Sequence, residues 1–168
     1  MNLKAQIHVL SEVKNLLHRL NTTAFITKNS VLFGGTIGEH FRHIIEFYIC
    51  FFEQKKTGVV NYDLRNREPI LEKKLTVGIK KINEVIEQIK QLEKSTNKSV
   101  FLDNCLNAED KMNPVQTSFY RELSYCMDHC VHHQNLIKIA LQEQGLLHLI
   151  DKNFGVAFST QKYRQECA

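Results

Sequence analysis

The sequence predicts an all-α fold, a four-helix bundle with a long crossover connection before its last helix. Three observations predict it. Four stretches repeat apolar residues every three or four positions, the spacing of a helix with one buried face. Their ends carry helix-terminal residues, namely Thr36 with Glu39, Pro69, Ser118 and Gly145. Finally, the link between the third and fourth stretches, residues 95–117, is long, as in bundles whose consecutive helices are not antiparallel neighbours. At 168 residues the chain fits one domain, 1–168, large enough for a substantial core.

The first helix is read over residues 3–20, where Leu3, Ile7, Leu10, Val13, Leu17 and Leu20 recur at helical spacing. His8 and His18 lie on it without a helical neighbour to complete a site, and are read as surface or packing residues. Residues 21–35, rich in Asn, Thr and Gly, read as a loop. The second helix opens at Thr36, whose hydroxyl would cap the amide three residues on while Glu39 reaches back. Its apolar positions, Phe41, Ile44, Ile45, Phe47, Tyr48, Phe51 and Phe52, make a broad face suited to more than one neighbour. It ends near Thr57 and Gly58. Residues 59–68 form a polar connection up to Pro69, which suits a first helical turn. From there the third helix runs to about Glu93 with Leu75, Ile79, Ile82, Ile86 and Ile89 inward. The crossover has room for short strands around residues 100–102 and 115–117. Ser118 caps the fourth helix, which runs to about Gln144 before Gly145. A turn at 146–150 and a short helix around 154–160 close the chain.

Hydrophobic residues make up 43% and charged residues 24%, the balance of an ordinary globular chain. The net charge of +4 is dispersed in short basic pairs, with no basic stripe interleaved with aromatics, so no nucleic-acid partner is expected. No run of about 18 apolar residues exists, so no membrane partner is expected either. The start, Met1-Asn2-Leu3-Lys4, is amphipathic and lacks a signal-peptide core. The cysteines, Cys50, Cys105, Cys126, Cys130 and Cys167, are odd in number and form no CxxC, which points to free thiols in a reducing cytoplasm. Packing is the expected role of Cys50, Cys126 and Cys130.

The chemistry concentrates in Asp128-His129-Cys130-Val131-His132-His133-Gln134, which holds three of the chain's eight histidines. On a helix, His129 and His133 are one turn apart on the same side. They fall within or beside the arc of about 100° that Leu123, Cys126, Cys130, Ile137, Ala140 and Leu141 define. His132 points to its rim. Imidazoles turned toward a core need partners, because a buried polar group without one is costly. A divalent transition metal can satisfy both at once. The competing reading is a set of hydrogen-bonded core side chains or a surface cluster. On the second helix the polar exceptions are His40 and His43, and helical geometry alone puts His40 nearer the centre of the apolar arc.

With four helices, a histidine on the second and HxxxH on the fourth, the chain resembles the DinB/YfiT-like superfamily of metal-dependent proteins. Three passages carry the resemblance. They are Thr36-Ile37-Gly38-Glu39-His40-Phe41-Arg42-His43-Ile44-Ile45-Glu46, Arg121-Glu122-Leu123 leading into His129-Cys130-Val131-His132-His133, and a weaker pair. That pair is Asn61-Tyr62-Asp63-Leu64-Arg65-Asn66-Arg67 and Phe154-Gly155-Val156-Ala157. In the family, one ligand comes from the second helix and two from the fourth, leaving open positions on the metal. The resemblance therefore implies His43, His129 and His133 as ligands, with His40 as the substitute for His43. Family members include hydrolases and transferases acting on low-molecular-weight thiols, so the implied partner is a small-molecule substrate, with a thiol among the candidates.

Three imidazoles and a solvent position make an open site of the catalytic kind. Bound water would be acidified toward neutrality, and a bound thiol would lose its proton. Zinc, nickel, iron and copper all suit three imidazoles. Glu46 and Glu122 are candidate catalytic auxiliaries, as a base or as orienters of ligand imidazoles. The competing reading for them is ion pairing with Arg42 or Arg121. Cys126, one turn before His129, is within reach as a fourth ligand but is read as packing. The alternative function is a non-catalytic stress protein that holds a metal or small ligand, or that forms a homodimer through helix faces. A substrate-sized cleft beside the site is the discriminating feature.

Overall fold

A computed structural model describes residues 3–94, 96–103 and 114–167. Among these the chain is mostly helical, with one three-stranded sheet. The helices are α1 (Leu3–Arg19), α2 (Thr22–Ile26), α3 (Ile37–Gln54), α4 (Leu75–Lys90), α5 (Phe119–Glu143) and α6 (Phe158–Glu166). The strands are β1 (Val59–Val60), β2 (Ser99–Leu102) and β3 (Val115–Ser118). The four longest helices coincide with the four apolar-periodic stretches. α1 packs on α4 and α5, and α3 packs on the same two.

Local chemistry explains the ends. The Thr36 hydroxyl accepts the Glu39 amide at 3.0 Å while the Glu39 carboxylate accepts the Thr36 amide at 2.8 Å, so the capping box is complete. Ser118 caps α5 through the Arg121 amide. Gly145, at φ +71°, ends it: its amide bonds Gln142 O at 3.1 Å and the Leu146 amide bonds Leu141 O at 2.7 Å. That pair of bonds satisfies carbonyls the last turn would leave free, and it needs a left-handed residue.

Three expectations need correction. Residues 21–35 are not simply a loop. The Asn21 side chain accepts the Ala24 amide at 2.8 Å and starts α2, which buries Phe25; a 3-10 turn follows at Ser30–Leu32. The third predicted helix is interrupted. Pro69 opens a 3-10 turn, Pro69–Glu72, and α4 starts only at Leu75. The cause is tertiary, because α3 lies directly on that turn and a Cβ at Gly38 would sit 2.2 Å from Glu72 O. The polar connection from residue 59 begins as a strand. β1 pairs parallel with β2 (Val59 with Phe101), and β2 pairs antiparallel with β3, from Ser99 with Ser118 to Leu102 with Val115. Cys105 lies outside the described residues.

One apolar cluster runs through the helices, including Leu10, Val13, Phe41, Ile45, Phe51, Ile82, Ile89, Leu123, Cys130 and Ile137. Truncating a buried phenylalanine such as Phe51 to alanine costs about 3–5 kcal/mol. Gln6 is fully buried inside this cluster. Its Nε2 donates to Leu123 O at 2.7 Å and its Oε1 accepts from the Tyr48 hydroxyl at 2.8 Å, tying α1, α3 and α5 together. Cys50, Cys126 and Cys130 are buried free thiols. No described helix is long and apolar enough to cross a membrane.

Candidate metal centre

α3 and α5 pack side by side, and each places histidines toward the other. His43 of α3 and His129 and His133 of α5 each offer one nitrogen, and these nitrogens lie within 4.8 Å of one another. Ring centroids are 4.9 Å apart for His43 and His129, 4.6 Å for His43 and His133, and 4.5 Å for His129 and His133. Nitrogens about 2.1 Å from a common ion in a tetrahedron are about 3.4 Å apart, so ring shifts of roughly an ångström bring the set to ligand distance. Nε2 of His129 is buried and has no hydrogen-bond partner. A buried imidazole nitrogen without a hydrogen bond fits a bond to an ion.

The other candidates take distinct places. His40 meets His133 Nδ1 to Nδ1 at 2.8 Å, so it partners a member of the trio. His132 is exposed, its ring 5.1 Å from that of His133. Sγ of Cys126 contacts the Tyr62 hydroxyl at 3.7 Å, and Cys126 is not one of the grouped donors. His8 stands apart, 5.9 Å from the Phe158 ring.

Burial is the main force on the trio's protons. It pushes His43 and His129 down to about 4, helped by neighbouring imidazoles and by Arg65. His133 falls to about 2, from burial first and then the surrounding histidines. His40 is lowered too, again chiefly by burial. At neutral pH the rings are therefore neutral, the form that binds metals.

An aromatic floor fixes the rings. Phe47 stacks on His129 at 4.1 Å and meets His43 edge-on at 4.9 Å, and it stacks on Tyr62 at 4.9 Å. Beside it lies Arg65, from the connection after α3. Its Nη2 is 3.4 Å from His43 Nδ1, its Nη1 donates to Tyr62 O at 3.0 Å, and its carbon centre is 5.2 Å from the Phe47 ring.

The two glutamates behave differently. Glu46, 2% exposed, lies 3.5 Å from Arg42 Nε and 3.7 Å from Arg65 Nε and accepts the Glu68 amide at 2.8 Å. It forms the ion pair with Arg42 and reaches the trio through Arg65. Glu122 is equally buried but accepts hydroxyls, from Tyr62 at 3.1 Å and Thr117 at 2.7 Å. Among the described residues it has no ion pair with Arg121. Arg65, Phe47 and Tyr62 were assigned no site role from sequence. Phe47 looks like a core residue there, while Tyr62 and Arg65 lie in the stretch read as a polar connection, where the sole pointer was the weak match at residues 61–67.

Fold and site thus define a mostly helical protein with a three-imidazole cluster between two of its helices. No family model matches the chain, and no solved structure matches it. It is similar to a protein named FK506-binding protein 5 from Rhizopus delemar, at 33% identity over 107 residues, or 62% of this chain. The match covers 27% of that relative, so this chain spans about a quarter of its length.

Proposed function

We propose that the protein is a DinB/YfiT-like four-helix bundle, with its crossover between α4 and α5, that holds one divalent transition metal through His43, His129 and His133. The supporting observation is the meeting of three neutral imidazoles from two helices on an aromatic floor, one of them with a buried nitrogen otherwise without a partner. Zinc, nickel and iron suit such a donor set. When bound, the ion would act as a Lewis acid that lowers the pKa of a water or thiol on it.

The chain's own residues prepare that chemistry. Phe47 holds the His129 ring by stacking, and His40 holds His133 through its Nδ1, leaving the far nitrogen of that ring for the ion. Glu46 orients Arg65, and Glu122 holds Tyr62 under Phe47. The reading is an enzyme of small molecules, a hydrolase or a thiol transferase, in the cytoplasm.

One observation favours a second reading, a non-catalytic metal- or small-ligand-binding stress protein, with a homodimer among its forms. Clefts of about 560 and 550 Å³ are lined by residues such as Lys55, Lys98 and Phe119, or Thr117, Arg121 and Glu122, and by no histidine.

Elemental analysis of protein made without chelator or histidine tag tests the metal. One ion per chain is expected, and protein that takes up none rejects the proposal. A screen of thiol transfer and of ester and amide hydrolysis, with and without the ion, separates the readings. Metal without turnover supports the binding protein.

A further inference from the structure

The connection after α3 brings to this site a second permanent positive charge, beside that of Arg42 on α3. Arg65 is only 13% exposed at its side chain; Nη1 donates to Tyr62 O and Nη2 approaches His43, each with a second N–H to offer. Its Nε has no hydrogen-bond partner, and the nearest carboxylate, Glu46, stands at 3.7 Å. Guanidinium–carboxylate forks close at about 2.7–2.9 Å, so this one is not closed. Glu46 is also divided between Arg42 and the Glu68 amide. Arg42 has a second carboxylate of its own, Glu72; Arg65 has none among the described residues.

We infer that Arg65 is the substrate-recognition group of the histidine site, and that it selects small molecules bearing a carboxylate. The geometry supports this in three ways. Its Nη2 is 3.4 Å from His43, so a group bound by the fork lies next to the imidazole trio. The Phe47 ring lies 5.2 Å from the guanidinium carbon, and the planar fork matches a carboxylate's two oxygens. The charge balance also points the same way, since Arg65 acts on both His43 and His129 and any cation among the imidazoles adds to its field. An anion relieves that like-charge arrangement. The inference rests on the proposed site for where the rest of the substrate lies; the carboxylate preference itself needs only Arg65.

Titration calorimetry on the full chain tests it with paired probes. Mercaptoacetate and 2-mercaptoethanol share a thiol and differ in the carboxylate; acetate and acetamide serve for the metal-free protein. Zinc-loaded protein is expected to bind mercaptoacetate at least about tenfold more tightly, the worth of one charge-assisted pair. Arg65→Gln should bring the two within about twofold, while Arg65→Lys keeps part of the preference. The double variant Glu46→Gln with Arg65→Gln leaves no buried carboxylate short of a partner, so it serves if the single variant does not fold. Equal affinities in the wild type, or a preference surviving in both glutamine variants, overturn the inference. Zinc content is measured alongside. Zinc retained with no preference removes only the role of Arg65. No zinc uptake, with acetate still favoured over acetamide and that preference lost in Arg65→Gln, removes only the metal.

Discussion

Two polar clusters bridge α3 and α5, and they are built to opposite specifications. Around Gln6 the amide donates to Leu123 O and accepts from Tyr48, and both side chains are sealed from solvent. Around the buried His133 the other groups are only partly buried, Nε2 of His129 and Nε of Arg65 lack hydrogen bonds, and the neighbouring His132 is exposed. A polar group satisfied inside the core contributes stability and uniqueness of packing. One left without a partner is open to something else. The first cluster is complete in itself; the second leaves two buried nitrogens without hydrogen bonds.

The sharpest way to break that contrast is to cut each cluster once. His129→Ala or His133→Ala should drop metal content by more than about tenfold in elemental analysis, since each removes a ligand. Gln6→Ala should leave metal content intact but lower unfolding free energy by about 2–4 kcal/mol in denaturant titration, from a cavity plus stranded Tyr48 and Leu123 groups. Equal metal loss from both cuts would erase the distinction.

Next in size is the ranking within α3. His43→Ala should weaken metal affinity by more than about a hundredfold and His40→Ala by about tenfold, as a proposed ligand differs from a residue that only hydrogen-bonds another, His133. The reverse order would give His40 the ligand's role.

Acid should also tell the clusters apart. The folded pKa values of His43 and His129, about 4, and of His133, about 2, lie below the unfolded value of 6.5. Between those limits the unfolded chain binds more protons, so stability of the metal-free protein is full above about pH 6.5 and falls as pH drops toward 4. His133→Gln should flatten the slope by up to about 1.4 kcal/mol per pH unit. Gln6→Ala should leave it unchanged. Smallest of all, Cys126→Ser should preserve metal content and cost about 1–2 kcal/mol, because its sulfur touches Tyr62 in a sealed pocket.

What the sequence revealed follows the range of the interactions involved. The four longest helices were legible because each repeats its apolar face over several turns. α2 was not, since five residues are too few for a period and its cap is a single asparagine. The break before α4 depends on Gly38 meeting Glu72 across space. Within the site, His129 and His133 were legible as a pair because one helix sets their spacing. The helix wheel preferred His40 to His43, yet His43 joins the trio and His40 backs His133. Two residues so close to the same seam are sorted by how α3 is rotated against α5, which no single helix encodes. Arg65 was signalled by the weak match at residues 61–67 alone, because a stretch without period gives no hint of where it folds back.

β2 bonds on one side to the strand that follows α3 and on the other to the strand that enters α5. Those two helices are therefore stitched together at one end by main chain. To slide one past the other by a single helical step of about 1.5 Å would mean unpicking that seam. The register of the two helices is consequently set by backbone, and only the rings are left to adjust, much as a lock's wards are cut before any key is tried.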